Sequence, residues 1–469
     1  MLTKAVLTLL QMAVLARLLT PTDFGLMALV TAVIAFAQIF SDMGISNAII
    51  HHQEISREEL SSLFWLNVLS STLLMVFLML ISPFVATLYH EPRMQAILIL
   101  VSTSFLIIAM GQQLRVIAEK NLRFQQLAVI DVTSSFLGFF LAVIVALAGG
   151  GVYALVAGML TGALVATVLS WWILADGWRP LWRLRLGEIR EYLSFGAYMV
   201  GFSLTNTVNM QADVLIGGRV LGSSSLGAYS LPKDASLRLA MIINPIVTRV
   251  GLPVMAQAQS DRSLLKSIYL KTLLMTASVN FPLYLMIAVF AREIVAIMFG
   301  PQWKESVPIL QLLALWGLVR STGNPVGSLL FALGRAKLAF WWSFGQMIFW
   351  IPIFWVGAKH GTHGLSISLL ISVVLSATPM WYVLVRPSCE ATFSEYFKQF
   401  LVPFVISLFA AATGFGAALL FEIIVLRLCV GLIVGGLVYL VLSRWFNRTW
   451  FAAITELLLG RVRSAKIVF

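Results

Sequence analysis

Fourteen apolar runs separated by short polar connections organise the chain, at residues 2–19, 24–47, 61–88, 94–115, 127–148, 152–175, 194–221, 226–255, 267–291, 306–332, 338–358, 364–385, 401–421 and 423–443. At 1.5 Å per residue, a run of roughly 20 residues matches the ~30 Å hydrocarbon core of a bilayer. Inside lipid the backbone has no water to bond to, and a helix satisfies its own amides within one segment. The pattern therefore predicts an all-α, polytopic membrane protein with about 14 transmembrane helices.

Composition narrows the reading further. Of 469 residues, 60% are hydrophobic and 11% charged, whereas soluble domains carry about 25% charged residues. An ordinary soluble enzyme is excluded. Thirty-two Lys and Arg against twenty Asp and Glu leave a net charge of +12, which alone would suggest nucleic acid as partner. With the N-terminus inside, however, 21 basic residues fall at inner connections and 8 at outer ones. That bias predicts cytoplasmic termini and explains most of the basicity without nucleic acid. Cys389 and Cys429 supply neither a disulfide framework nor a metal cluster. All five histidines, His51, His52, His90, His360 and His363, are expected in connections. No paired carboxylates and no phosphate-binding Gly-rich loop stand out, so catalysis, ATP hydrolysis, a metal and a cofactor are all unexpected.

The chain repeats itself. Arg17-Leu-Leu-Thr-Pro-Thr-Asp-Phe-Gly25 returns 202 residues later as Arg219-Val-Leu-Gly-Ser-Ser-Ser-Leu-Gly227. Two weaker echoes pair Glu119–Arg123 with Gly334–Lys337, and Gly151–Leu155 with Gly361–Leu365. The expected organisation is an N-terminal six-helix bundle at 1–175, a cytoplasmic linker at 176–193 and a second six-helix bundle at 194–385. Two additional helices and a cytoplasmic tail then occupy 386–469. Internal repeats of this kind build many secondary transporters around a central pathway. A signal peptide around Lys4 would also fit the start, but the repeat includes that segment. Small-residue pairs, Gly158 with Gly162 and Gly431 with Gly435, predict close helix contacts.

Polar residues inside apolar runs are the candidates for chemistry, because a charge in hydrocarbon costs at least ~2.5 kcal/mol and is usually retained facing a cavity or a partner. The eighth helix carries Lys233, Asp234, Arg238, Asn244 and Arg249, with Pro245 expected to kink it. Asp234 and Arg238, four apart, share a face. The seventh adds Asn206, Asn209 and Asp213, the tenth Arg320 and Asn324 beside Pro325, and the first two Arg17 and Asp42. Together they predict a net-cationic, water-filled cavity biased toward the second half, suited to a phosphate-bearing anion. The expected cationic set is Arg238, Arg320, Lys233, Arg219 and Arg17; Asp42, Asn209, Asp213 and Asp234 form a polar stripe available for coupling. A plainer reading competes at several positions: Arg17 and Arg219 sit near helix ends and suit snorkelling, and Asp42 and Asp213 suit packing or capping.

The runs Ala16–Leu26, Phe40–Ile50, Asn209–Gly222 and Gly227–Leu231 resemble the polysaccharide-transporter branch of the multidrug/oligosaccharidyl-lipid/polysaccharide flippase superfamily, near its colanic acid and teichuronic acid exporters. The resemblance covers essentially the whole chain. It implies twelve to fourteen helices, and undecaprenyl-diphosphate-linked oligosaccharide repeat units as substrate, flipped by alternating access in the bacterial inner membrane without ATP. It also implies membrane lipids, a polysaccharide polymerase and a chain-length regulator as partners. Relatives begin with a further basic, amphipathic stretch of about twenty residues, so a late start or a truncation is expected at Met1. Competing readings are a cation-coupled multidrug exporter, which would favour acidic cavity residues, and a membrane enzyme of polysaccharide assembly, which would favour a large outer loop.

Overall fold

The computed structural model describes residues 2–42, 49, 55–182, 185 and 190–458; within them the side chains of 2–6, 42, 190–200, 202, 239–250, 457 and 458 lie outside the description. Among the described residues there is no strand. The principal helices are α1 (Leu2–Leu18), α2 (Pro21–Asp42), α3 (Arg57–Tyr89), α4 (Arg93–Lys120), α5 (Phe124–Leu147), α6 (Val152–Leu174), α7 (Arg190–Leu221) and α8 (Ser223–Gln257). They continue with α9 (Arg262–Val289), α10 (Ser306–Ser321), α11 (Asn324–Ala332), α12 (Ala336–Lys359), α13 (Gly361–Met380), α14 (Phe393–Ala418), α15 (Ile424–Phe446) and α16 (Arg448–Leu458).

Over its described residues each apolar run falls on one of these helices, except the twelfth, whose last residues Trp381–Val385 form a π-helical turn after α13, and the tenth, which divides into α10 and α11 at Thr322 and Gly323. Among the described residues ten helices are long and apolar enough to cross a membrane, making this a multi-pass membrane protein. The divided tenth run is not among those ten, and α1 contributes the shorter apolar stretch Leu7–Leu18. His363 falls within α13 rather than in a connection, because that helix begins one turn earlier than its apolar run.

Local chemistry fixes the helix ends. Ser56 and Glu59 cap each other reciprocally at the start of α3, as Thr392 and Glu395 do at the start of α14. Asp261 caps α9 by accepting from Ser263 N (2.9 Å) and Leu264 N (3.1 Å); the Leu264 amide foremost, with the Ser263 hydroxyl, holds its carboxyl below the ordinary carboxylate range.

The chain forms two compact units, Met1–Ser230 and Leu231–Phe469. In the first, α3 packs on α4, α4 on α6 and α5 on α6; in the second, α9 packs on α10, α10 on α13 and α12 on α13. These are corresponding pairs in the order of the chain. The tightest crossings use small residues, which allow backbones to approach closely: Gly138 against Gly158 joins α5 to α6, Gly357 against Gly364 joins α12 to α13, and Gly414 against Gly431 joins α14 to α15. The α14–α15 pair, which lies outside the repeat, is held to α9 by polar contacts. Tyr439 Oη donates to Ser278 O (2.6 Å), and Asn447 Nδ2 donates to Ser278 Oγ (2.8 Å).

One corresponding device recurs where each unit's fifth and sixth helices meet the segment that follows them. In the first unit, Arg123, the residue before α5, pairs with Asp176 after α6, and Arg57 Nη2 reaches Arg179 O (3.4 Å). Trp65 Nε1 donates to Leu181 O (2.8 Å), and its ring stacks on Trp182. In the second unit, Arg335, the residue before α12, donates to Pro387 O (2.9 Å), and Arg262 pairs with Glu390. Each unit thus ties down the segment that leaves its sixth helix. The residues 176–182 of the expected linker are largely exposed but docked against α3 and α6.

Candidate substrate-handling site

The repeated motif lies within the first unit. Thr20 N and Oγ1 donate to Asp23 Oδ2 (3.0 and 2.7 Å), shaping the turn that leads into α2. Gly25 then meets the start of α8 with no room for a side chain: a Cβ on Gly25 would stand 1.8 Å from Ser223 O, and one on Gly227 would stand 1.7 Å from Pro21 O. Ser223 follows Pro21, and Gly227 follows Gly25, by the same 202 residues. The two copies of the motif therefore touch each other through equivalent atoms. Glycine is required on both sides because any Cβ would collide with backbone.

Arg17 and Arg219 occupy the last turns of α1 and α7, and both are exposed. Arg219 lies within electrostatic reach of Tyr89 at the end of α3. Deeper in α7, Asp213 is 1% exposed and accepts a hydrogen bond from the hydroxyl of Tyr229, itself fully buried. Asn209, one turn earlier, is half-buried. The side chains of Asp42, Asn244, Pro245 and Arg249 lie outside the described residues.

On α8 the polar residues divide between two faces. Tyr229, Lys233 and Ser236 follow the i, i+4, i+7 rhythm of one face and are buried, Lys233 to 4% exposure. Asp234 and Arg238 share another face and are exposed. Within the second unit, Tyr284 of α9 donates to Ser236 O (3.2 Å), and Arg320 at the end of α10 lies within electrostatic reach of that tyrosine. The Arg320 guanidinium sits over the Trp316 ring, 5.1 Å from its centroid. Its carbonyl accepts from Gly323 N (3.0 Å) where α10 ends and α11, opened by Asn324 and Pro325, begins. Arg320 is thus half-buried at a real break in the tenth segment, with its planar head held against an indole.

Lys233, Arg238 and Arg320 are carried by α8 and α10, and α9 bridges those two helices through Tyr284. Tyr284, Ser236 and Trp316 were marked by neither charge nor motif, and Tyr229 only as a member of the run Gly227–Leu231. An aromatic residue one helical turn from a lysine or arginine within an apolar run is the signal that would have found Tyr229, beside Lys233, and Trp316, beside Arg320. Among the described residues no three of His, Cys, Asp and Glu converge as a metal site requires.

Residues 14–308 match the family described as polysaccharide biosynthesis protein. The chain belongs to this family. It is 32% identical over 403 residues to the lipopolysaccharide biosynthesis protein WzxC of Escherichia coli (strain K12), covering 86% of this chain and 82% of that one. It is 31% identical over 448 residues to the teichuronic acid biosynthesis protein TuaB of Bacillus subtilis (strain 168), covering 93% and 91%. Its fold is that of the lipid II flippase MurJ in an inward closed conformation, with a TM-score of 0.74 at 13% identity over 98% of both chains.

Proposed function

We propose that this protein moves undecaprenyl-diphosphate-linked oligosaccharide repeat units across the bacterial inner membrane by alternating access, supplying exopolysaccharide, capsule or O-antigen assembly. It acts as a transporter, not an enzyme, with both termini cytoplasmic and with a polymerase and a chain-length regulator acting on its product. Its working parts are the two six-helix bundles, 1–175 and 194–385, joined by the linker 176–193 and followed by the two helices of 386–469.

The observation that carries this reading is the placement of Arg238 on α8, which bears charged side chains on two faces, and of Arg320 at the break between α10 and α11. Basic side chains there suit an anionic headgroup: arginine offers a flat fork of donors to phosphate oxygens, and lysine a compact charge. Arg238 and Arg320 receive the diphosphate from the cytoplasmic side, and Lys233, Arg219 and Arg17 take it over as the site turns outward. Two or three charge-assisted hydrogen bonds of ~1.5–3 kcal/mol each hold a diphosphate, and spreading them along a path avoids a trap too deep to leave. Asp42, Asn209, Asp213 and Asp234 couple this exchange to helix movement.

Complementation tests it. In a flippase-null strain, the parent restores surface polysaccharide, while Arg238→Ala and Arg320→Ala, expressed to the same level, do not. Full restoration by both variants would overturn the assignment of these residues. Loss in Asp234→Ala alone would instead point to an ion pair or to coupling.

A further inference from the structure

A groove of about 440 Å³ runs between α12 and α13 in the second unit, and none of its lining residues is among those assigned above. Trp341, Trp342, Phe349 and Trp350 line one side, Leu375 the other, and Gln346 supplies an amide part-way along. The serines that reach it are internally satisfied: Ser372 Oγ donates to Leu369 O and Ser376 Oγ to Ser372 O, both at 2.7 Å. Several of these rings are open to the surroundings, Phe349 at 72% and Trp341 at 56% exposure. Both helices are of membrane-spanning length, so lipid is the medium the groove faces.

The two ends differ in charge. Lys337 directly precedes the lining residue Leu338, and Arg386 follows the lining residue Val383 by three positions. Both cations are exposed, Arg386 resting against the rings of Trp381 and Tyr382. The bond from Arg335 to Pro387 O ties these helix ends together, so both charges stand at one mouth. The far end, by Ile353 and Ser372, has no charged lining. An apolar slot with cations at one mouth is complementary to a hydrocarbon chain bearing an anionic head. Length selects among such molecules. From Leu338 to Ile353 the slot runs about 22 Å at 1.5 Å per residue, beyond the ~15 Å that one leaflet contributes to a ~30 Å core. A phospholipid acyl chain ends within its own leaflet, whereas a long isoprenoid chain fills the whole slot.

We infer that the α12–α13 groove seats the isoprenoid chain of the diphosphate-linked substrate, with Lys337 and Arg386 meeting its diphosphate at the cytoplasmic mouth before transfer. This rests on the function proposed above. The groove gives the apolar chain a protein-lined place beside the bundle while the polar head is handled elsewhere.

The test uses the full chain in lipid nanodiscs with two photoreactive probes, a polyprenyl diphosphate carrying a diazirine in its tail and a phosphatidylglycerol carrying one in its acyl chain. The polyprenyl probe should label α12 and α13, and unlabelled polyprenyl diphosphate should compete it away. A Cβ at Gly345 would meet nothing within 4 Å, so Gly345→Ala should keep the labelling. Gly345→Trp, which fills the slot, should lower it about tenfold, the effect of losing contact with about two methylenes. Lys337→Ala/Arg386→Ala should remove the preference for the diphosphate over the neutral polyprenol, a readout independent of groove filling. Equal labelling by phosphatidylglycerol without competition, or polyprenyl labelling elsewhere that Gly345→Trp leaves unchanged, would overturn the inference. Complementation separates the two readings. Labelling outside the groove with surface polysaccharide restored removes only the groove's role, and no labelling anywhere with no restoration removes the proposed function as well.

Discussion

Arg320 and Arg238 differ in what fixes their direction. The guanidinium of Arg320 lies flat over Trp316, while Arg238 stands exposed on α8. Lysine keeps the charge of arginine but loses both the fork of donors and the flat face. Arg320→Lys should therefore behave nearly as badly as Arg320→Ala in polysaccharide export, and Arg238→Lys should retain more function than Arg238→Ala. Export measured at matched expression checks both. Equal tolerance of lysine at the two positions would show that neither acts as a fork. Loss of two charge-assisted bonds at ~1.5–3 kcal/mol each corresponds to roughly a hundredfold or more in affinity. The glycines of the repeated motif give a second expectation at this scale. Gly25→Ala or Gly227→Ala forces a Cβ onto backbone oxygen, and overpacking of that kind costs about 1–3 kcal/mol. Each should lower the thermal unfolding midpoint in detergent, whereas Gly416→Ala, at a site with open space around it, should not.

Charged residues in apolar runs were legible from sequence because they interrupt a pattern. Their neutral partners were not. Tyr229 and Tyr284 read as ordinary aromatic residues of a membrane helix, and only the fold shows the first bonded to Asp213 and the second bridging Ser236 toward Arg320. The burial of Lys233 was equally hidden: spacing places it with Tyr229 and Ser236, but spacing alone does not say which face turns inward.

At the scale of elements, hydropathy located each helix because the lipid thickness sets its length. It missed two features with other causes. The tenth run remains apolar through Thr322 and Gly323, where the backbone breaks, so only Asn324 and Pro325 hinted at the start of α11. The short amphipathic helix α16 is too brief to register as a span, yet Trp450 packs edge-on against Tyr439 with ring centroids 5.3 Å apart. The corresponding ties of Arg123 and Arg335 were foreshadowed by the weak echo around those residues, though their partners were not. An exposed ion pair is worth about 0.2–1 kcal/mol, so Arg123→Ala should speed protease cleavage after Arg179 by a few-fold and leave the melting midpoint almost unchanged. Unchanged cleavage would mean that the stacked Trp65 and Trp182 hold the segment without the ion pair.

Across the whole molecule, the repeat and the bias of 21 inner against 8 outer basic residues fix an expected topology. Reporter tags at Gly187 and at the C-terminus should read cytoplasmic, and tags near Gly150 and Lys359 should read external. An external C-terminus would contradict the fourteen-span arrangement, in which ten helices meet the length and hydropathy required of a span among the described residues.

Direct transport decides the central issue. Purified protein reconstituted into liposomes with a fluorescent oligosaccharide on undecaprenyl diphosphate in one leaflet should accelerate its appearance in the other, as read by accessibility to a membrane-impermeant quencher. Substitution of Arg238 and Arg320 by alanine should abolish that acceleration while leaving the protein folded and inserted. A rate equal to that of protein-free liposomes for the parent protein, or equal rates for parent and double variant, would contradict the proposed mechanism.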